Sequence, residues 1–425
     1  MDRRTFLALL AAPVAADVLA SCGSESSTRG ASPDTVAGNT PRAAATADAA
    51  PAVTTVNTFG DDLFARLLAT DPQANVVCSP ISIAIALAMT SAGARGTTLT
   101  EMNTVLHVTD QAALHPSMNS LLTTLATANR VGRPQTDGEA APEVQLQLTD
   151  SLWGQTGYQF VPAFLDVLAA QYGAAMHRVD YAADPDAAAS RINQWVRDQT
   201  AGRIPQLLQP GVVTSSTTLS LINAIHLKAR WFTQFDPLAT RTAPFTTAAG
   251  TVVDVDMMYL DDGQAYAEGD GWQAVELQYV LGDLSFVAVL HEAASPPAAD
   301  EVFAALGGRQ VTLSMPSFDF GSTTDLKDVL IDMGMPTAFD NADFSGMANP
   351  TSMLIGHVIH QADITVDEHG TEAAAATAVV METTAGFLEG PVTLVLDRPF
   401  TFFIRHRATS AVLFSGRVTD PTTGR

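Results

Sequence analysis

One stretch, from Val366 to Val380, constrains the fold more than any other, because it fits two incompatible structures. It reads Val-Asp-Glu-His-Gly-Thr-Glu-Ala-Ala-Ala-Ala-Thr-Ala-Val-Val. Alanine and glutamate are strong helix formers and Thr371 could cap a helix, so local propensity favours α-structure. Read with a period of two, the same residues describe a strand. Thr371, Ala373, Ala375, Thr377, Val379, Met381 and Thr383 share one parity and carry no charge, whereas Glu372 and Glu382 fall on the other. One face could be buried while the other meets water. Side chains this small could pass between two existing strands without a steric barrier.

The surrounding chain can supply such strands. Its 425 residues are 47% hydrophobic and 16% charged, which permits a large core and excludes global disorder. Ser79-Pro80 opens a helical segment, Ile81 to Ser91, and Phe164 to Tyr172 and Ala187 to Thr200 are helical by period. The later half is strand-rich, at Leu219–Leu227, Ala274–Tyr279, Leu284–Leu290, Val311–Phe320, Val392–Leu396, Phe400–Arg405 and Ala411–Val418. Helices first and strands later predict an α+β fold rather than repeating βαβ units. Residues 131–142 form a polar break and read as a surface loop.

The N-terminus carries an address. Arg3-Arg4 precedes Phe6-Leu7 and an apolar run through Ala20, interrupted by Asp17, which resembles a bacterial twin-arginine export signal. The run ends Leu19-Ala20-Ser21-Cys22, the pattern of a lipoprotein signal cleaved before a cysteine that is then lipidated. Residues 1–21 are thus expected to be a signal peptide and Cys22 a lipid attachment point, which places the protein outside the cytoplasm and at a membrane. Residues 22–52 are rich in Ser, Thr, Ala, Gly and Pro and read as a flexible tether, with the folded domain spanning 53–425. Cys78 then has no partner within the chain, and its apolar neighbours Val76 and Val77 predict an inert buried thiol.

Several functions are disfavoured. A net charge of −23 repels phosphate backbones, so nucleic-acid binding is not expected. No Gly-x-Ser-x-Gly elbow, Walker loop or dinucleotide fingerprint occurs, and Ser295 stands where a zincin that began at His291-Glu292 needs its second histidine. His357, His360, Asp363, Asp367, Glu368 and His369 form a polar cluster. In a strand, however, His357 and His360 point to opposite faces, which argues against a metal site. No cofactor is expected.

Glu368-His-Gly-Thr-Glu-Ala-Ala-Ala-Ala-Thr377 closely resembles the hinge of inhibitory serpins. The resemblance continues through Asn75-Val-Val-Cys-Ser-Pro-Ile-Ser-Ile83 with Gly93-Ala-Arg-Gly96, and through Leu221-Ile-Asn-Ala-Ile-His-Leu-Lys-Ala-Arg-Trp231 with Phe235-Asp-Pro and Thr240-Arg-x-x-x-Phe245. Met257-Met258-Tyr259, Val275-Glu-Leu-x-Tyr279, Leu313-Ser-Met-Pro316, Arg398-Pro-Phe400 and Phe414-Ser-Gly-Arg-Val418 fit as well. Together these motifs extend over residues 53–421.

The resemblance implies three sheets, eight to nine helices and an exposed reactive loop. It implies a monomeric inhibitor of serine-type proteases. The loop is cut as a substrate, and its hinge then inserts into the main sheet. Glu368, Gly370, Thr371, Glu372, Ala373, Ala374, Ala375, Ala376 and Thr377 would form that hinge. Ser79, Ser82, Asn223 and His360 would lie under the point where the sheet opens, with Trp231 at its top. Counting from Gly370 places the scissile bond at Thr384-Ala385, with Met381, Thr383, Phe387 and Leu388 as other residues before the cut. No Lys or Arg occurs between Lys327 and Arg398, which points to an elastase-, subtilisin- or chymotrypsin-like target. The alternative is a binding or carrier serpin whose loop never inserts; the small residues of the hinge argue against it. One position departs from the family pattern. Ser317 stands where a lysine often pairs with Glu368, so that ion pair is either missing or replaced by another partner.

Overall fold

Two large sheets share one all-buried helix, and the chain reaches them in the order the sequence predicts. The computed structural model describes residues 34–133, 141–200, 202–293, 295–350, 352–371 and 390–424. Its first elements are β1 (Thr35–Val36), α1 (Ala50–Thr70), β2 (Val76–Cys78), α2 (Pro80–Ser91), α3 (Gly96–Val105) and α4 (Gln111–Ala126). There follow β3 (Arg130–Val131), β4 (Glu143–Gln155), β5 (Gln159–Phe160), α5 (Pro162–Val167), a π-helical turn (Leu168–Tyr172), β6 (Met176–Val179) and α6 (Pro185–Gln199). Strands then dominate: β7 (Leu219–Arg230), β8 (Arg241–Thr246), β9 (Val252–Gly269), β10 (Trp272–Gln278) and β11 (Leu284–His291). Next come α7 (Ala299–Ala305), β12 (Gly307–Pro316), β13 (Phe318–Asp325), α8 (Lys327–Met333), α9 (Thr337–Asp340), β14 (Ala348–Asn349), β15 (Ile355–Val366) and β16 (Gly370–Thr371). β17 (Val392–Val395), β18 (Phe400–His406) and β19 (Ala411–Val418) close the chain.

The main sheet runs β1-β6-β4-β7-β16-β15-β13, with β3 attached to β4. A second runs β17-β12-β9-β10-β11-β18-β19-β2, with β8 beside β9, and β14 pairs with β5. Nine α-helices and three sheets among the described residues match the expected α+β architecture.

Why α2 sits between the sheets follows from its composition. Ser79 caps it by accepting from the Ser82 amide, and Pro80 fits the first turn, where no amide is needed. Every residue from Pro80 to Ser91 is buried, so it must be covered on all sides. α6 instead has one apolar face. Ala188, Ala189, Ile192 and Val196 pack over Trp153, Ile222, Ala224 and Ile359, so this helix lies across β4, β7 and β15. Any parting of β7 from β15 therefore happens beneath α6.

The sequence reading of a flexible tether to residue 52 is corrected here. Residues 34–49 are docked on the domain, and α1 begins at Ala50. β1 extends the main sheet by pairing Thr35 with His177 and Val36 with Met176. Asp34 reaches Arg191 on α6 at 3.1 Å. The Asp166 carboxylate accepts from the amides of Asn39 (3.0 Å) and Thr40 (3.2 Å). The Ala43 amide donates to the Ala170 carbonyl, and Asn119 donates to the Ala43 carbonyl. Gly38 lies so close that a Cβ there would meet the Leu165 carbonyl oxygen at 2.5 Å. Backbone bonds and one close approach hold this strap, and neither needs the large apolar residues whose scarcity made it read as a tether.

Cys78 is buried against Phe64 and Leu68, and burial pushes its thiol up to about 12. Cys22 lies outside the described residues.

Candidate functional site

β7 and β15 are neighbours over only part of their length. They pair directly, in parallel, from Leu219 and Ile355 to Ile225 and Ala362. Above that point β16 lies between them, with Gly370 opposite Arg230, and Thr371 opposite both Ala229 and Val366. The main sheet is thus already parted at one end, and Gly370 and Thr371 occupy the gap. Thr371 is 2% exposed, and its hydroxyl lies 2.6 Å from that of Tyr279. Tyr279 in turn stacks on Trp231, with ring centroids 4.7 Å apart. A side chain at Gly370 would run into the Ala229 carbonyl, so only glycine admits this path between the strands.

The turn from β15 into β16 is received by residues 231–240. Trp231 donates from its indole to the Asp367 carbonyl (2.8 Å) and from its amide to the His369 carbonyl (2.9 Å). The Phe235 amide takes the Glu368 carbonyl at 3.0 Å. Within the turn, the Asp367 carboxylate accepts from the amides of His369 and Gly370, while burial raises its pKa above the usual range. The Glu368 carboxylate accepts from the Thr240 hydroxyl at 2.6 Å. Ser317 bonds Asp256 through its amide, and Thr240 is the partner that Glu368 has in place of a lysine.

Further down, three residues share one rung of the sheet: Asp150 of β4, Asn223 of β7 and His360 of β15. The Ser79 amide donates to His360 Nε2 at 3.0 Å, so Nδ1 carries the proton and donates to Asn223 Oδ1. Burial pulls His360 down to about 3, which keeps it neutral and able to accept from Ser79. The Ser82 hydroxyl donates to Asp150 at 2.6 Å, and burial pushes that carboxyl up to about 8. The first turn of α2 therefore holds β15 through His360 and β4 through Asp150. The clasp between β7 and β15 is the Asn223–His360 bond.

The structure thus brings Ser79, Ser82, Asn223 and His360 together and sets Trp231 beside Glu368, Gly370 and Thr371. Glu372, Ala373, Ala374, Ala375, Ala376, Thr377, Thr384 and Ala385 lie outside the described residues. His357 bonds Asp325 at 2.7 Å and does not converge with His360. Sequence reasoning missed Asp150, Thr240 and Tyr279 as site residues. For Asp150 a signal existed. It interrupts the apolar parity of Val144, Leu146, Leu148 and Leu152, which marks a carboxyl facing the core.

A sheet parted at one end by two residues, above a polar clasp, is a place for a strand to enter. The family model described as "Serpin (serine protease inhibitor)" matches residues 54–421. The chain belongs to the serpin family. This serpin is 35% identical over 385 residues to an uncharacterised serpin-like protein of Thermococcus kodakarensis, covering 88% of this chain and 87% of that one. It is also 35% identical over 382 residues to a leukocyte elastase inhibitor of Bos taurus, covering 85% and 97%. Among solved structures, a thermophilic serpin in the native state, Tengpin, superposes with a TM-score of 0.77 at 26% identity, over 91% of this chain and 97% of that one. A highly specific serpin of the insect Tenebrio molitor gives 0.73 at 31% identity, over 87% and 97%.

Proposed function

We propose that this serpin inhibits a serine-type endopeptidase by taking the cleaved hinge into its main sheet between β7 and β15. The protease attacks the loop after Thr371 as a substrate and becomes acylated on its serine. Cleavage frees the hinge, which continues from Thr371 as a new antiparallel strand. The driving force is about a dozen new ladder hydrogen bonds at roughly 0.5–1.5 kcal/mol each, together with burial of the uncharged face. The acylated protease is carried along and disabled before water releases it. The native state must then be held kinetically, since insertion leads downhill.

One observation carries this reading: Thr371 already lies between β7 and β15, buried and in antiparallel register with both. Its place continues the period-two pattern that leaves the same face of the following residues uncharged. The relatives named as leukocyte elastase inhibitors support a target with a small or apolar specificity pocket. The Cys22 pattern supports a lipid-anchored, extracytoplasmic protein, in which residues 23–33 connect the membrane to the docked strap.

The test is incubation of the soluble domain with elastase, subtilisin and chymotrypsin, followed by denaturing electrophoresis. A complex that survives SDS is expected. Quantitative loop cleavage by all three without any complex would favour the carrier reading.

A further inference from the structure

The strap enters the main sheet at the end opposite the hinge. Thr35 pairs with His177, His177 with Trp153, and Trp153 with Ser220 of β7. Thr371 lies opposite Ala229 of the same strand. The stretch of β7 between those two rungs, Ser220 to Ala229, spans about 30 Å. The Arg178 amide donates to the Asp34 carbonyl, so toward its start the strap runs on along β6 and farther from the hinge. Asp34 is held there by Arg191, and the strap behind it by Asp166. Two exposed residues mark the ends of the sheet. Ala182 donates its amide to Gln155, the last residue of β4, at the strap end. Leu238, 84% exposed, stands at the other end in the segment that receives the hinge turn.

The same ladder says where an inserting strand would run. Thr371 opposes both Ala229 and Val366, and four positions down each strand Ile225 and Ala362 oppose each other. Ala375 would therefore enter between Ile225 and Ala362 without a slip in register. Val380 would come between Ser220 and His357, on the rung that leads across to Thr35. A strand inserted as far as Thr384 ends beyond that rung, at the strap end of the sheet.

We propose that the docked strap turns the hinge end of the domain away from a lipid surface, and that trapping carries the protease to the end that faces the lipid. This rests on the Cys22 reading for the membrane and on the inhibitory reading for the trapped protease; the geometry needs neither. Between Cys22 and the strap stand residues 23–33, Gly-Ser-Glu-Ser-Ser-Thr-Arg-Gly-Ala-Ser-Pro. A Gly/Ser-rich chain of that length averages about 18 Å end to end and reaches at most about 40 Å. Bringing the hinge end to the lipid would spend most of that reach on running back along the sheet, and the lost chain freedom opposes it. With the strap undocked, the tether would extend to residue 49 and the preference would vanish. Docking is therefore what makes the anchor directional.

The experiment places the lipidated full chain on phosphatidylcholine vesicles that carry a rhodamine-labelled lipid. Cys78 is buried and Cys22 is blocked by its lipid, so a fluorescent donor goes onto Ala182→Cys or Leu238→Cys. Energy transfer from position 182 should exceed that from 238 by at least about threefold, given their separation along the sheet. Gly38→Val, which lifts the strap, should bring that ratio to about one. The same variants with a histidine tag in place of residues 1–22, held on nickel-chelating lipid, report orientation whether or not cells lipidate Cys22. Equal transfer from the two positions, or more from 238, overturns the proposal. If only the tagged chain stays on the vesicles and keeps the contrast, the lipoprotein reading fails and the orientation stands. In the last arm the donor is on pancreatic elastase and the inhibitor is unlabelled. Transfer should rise at least about twofold as the SDS-stable complex forms, relative to elastase inactivated at its serine. Complex formation without that rise overturns delivery to the lipid-facing end. If no elastase is trapped but the contrast between 182 and 238 holds, the inhibitory reading fails and the orientation stands.

Discussion

The Thr371 hydroxyl meets the Tyr279 hydroxyl at 2.6 Å in a buried contact that joins β16 of the main sheet to the end of β10, an interior strand of the other. Tyr279 is held by its stack on Trp231 and by a bridge between their backbones. A buried hydroxyl without a partner costs about 1–3 kcal/mol, so this pair sets how firmly β16 is seated. The relationship makes Gly370 and Thr371, the first two residues of the proposed inserting strand, part of the core.

Arginine at position 371 tests that arrangement. Thr371→Arg places a cation against the buried Tyr279 hydroxyl, whose ring stacks on Trp231. The cost is several kcal/mol, enough to expel β16 and to block the strand that should follow. The variant should be cleaved by elastase at least as fast as wild type while forming no SDS-stable complex. An undiminished yield of complex contradicts insertion through this gap.

The clasp predicts how the fold responds to acid and base. His360 and His226 bind protons only below about 3 in the fold, against 6.5 in a free chain. His115 and His177 are lowered to about 4 for the same reason, burial. Between those values the unfolded chain takes up protons that the folded chain refuses, so stability falls as pH drops from 6.5 toward 3. Asp150 acts with the opposite sign. Its folded carboxyl keeps a proton up to about 8, against 3.8 when unfolded, so its contribution is full below 3.8 and is lost progressively as pH rises from there to about 8. Asp150→Asn keeps an acceptor for Ser82 and cannot ionise. It should raise the thermal midpoint above wild type at alkaline pH by roughly 2–6 °C, with the difference closing as pH falls toward 3.8. Parallel curves for the two proteins across the whole range would remove Asp150 from the account.

Much of this site was legible in the sequence because it is written in periodicity and in short motifs. The parity of Thr371 through Thr383 reads as a strand; Thr371 lies in the sheet, and the later residues of that series fall outside the described residues. Ser79, Ser82 and Asn223 lie in motif segments and His360 in the polar cluster of residues 357–369, and the structure brings them together. Thr240 stands in a motif segment, but its contact with Glu368 was not legible, because that partner is 128 positions away. The strap was misread for a related reason. Composition reports what a segment can bury, and residues 34–49 are held mainly by backbone amides, carboxylate caps and the absence of a side chain at Gly38.

The strap offers a direct check. Gly38→Val forces a branched side chain into the Leu165 carbonyl, so the segment must lift while the domain beneath it stays folded. Arg42 is half-buried in the docked strap, and the next amide, at Ala43, is bonded to Ala170. Trypsin should therefore cut after Arg42 at least about tenfold faster in the variant than in wild type. Equal rates would mean that the strap opens freely regardless of Gly38.

The target is constrained by charge. No lysine or arginine occurs between Lys327 and Arg398, so every candidate for the residue before the cut is uncharged or acidic. A trypsin-like pocket ends in a buried carboxylate, and leaving it without a cation forfeits its main recognition energy. Elastase-, subtilisin- and chymotrypsin-like proteases have small or apolar pockets that accept Thr384, Met381, Phe387 or Leu388. Mass spectrometry of the peptide released from a trapped complex identifies the bond. A fragment beginning at Ala385 supports the count from Gly370. One beginning at Glu389 moves the cut to Leu388 and shifts the target toward a larger pocket. Trypsin should cleave the protein elsewhere without being trapped, and efficient trapping of trypsin through this loop would contradict the charge argument.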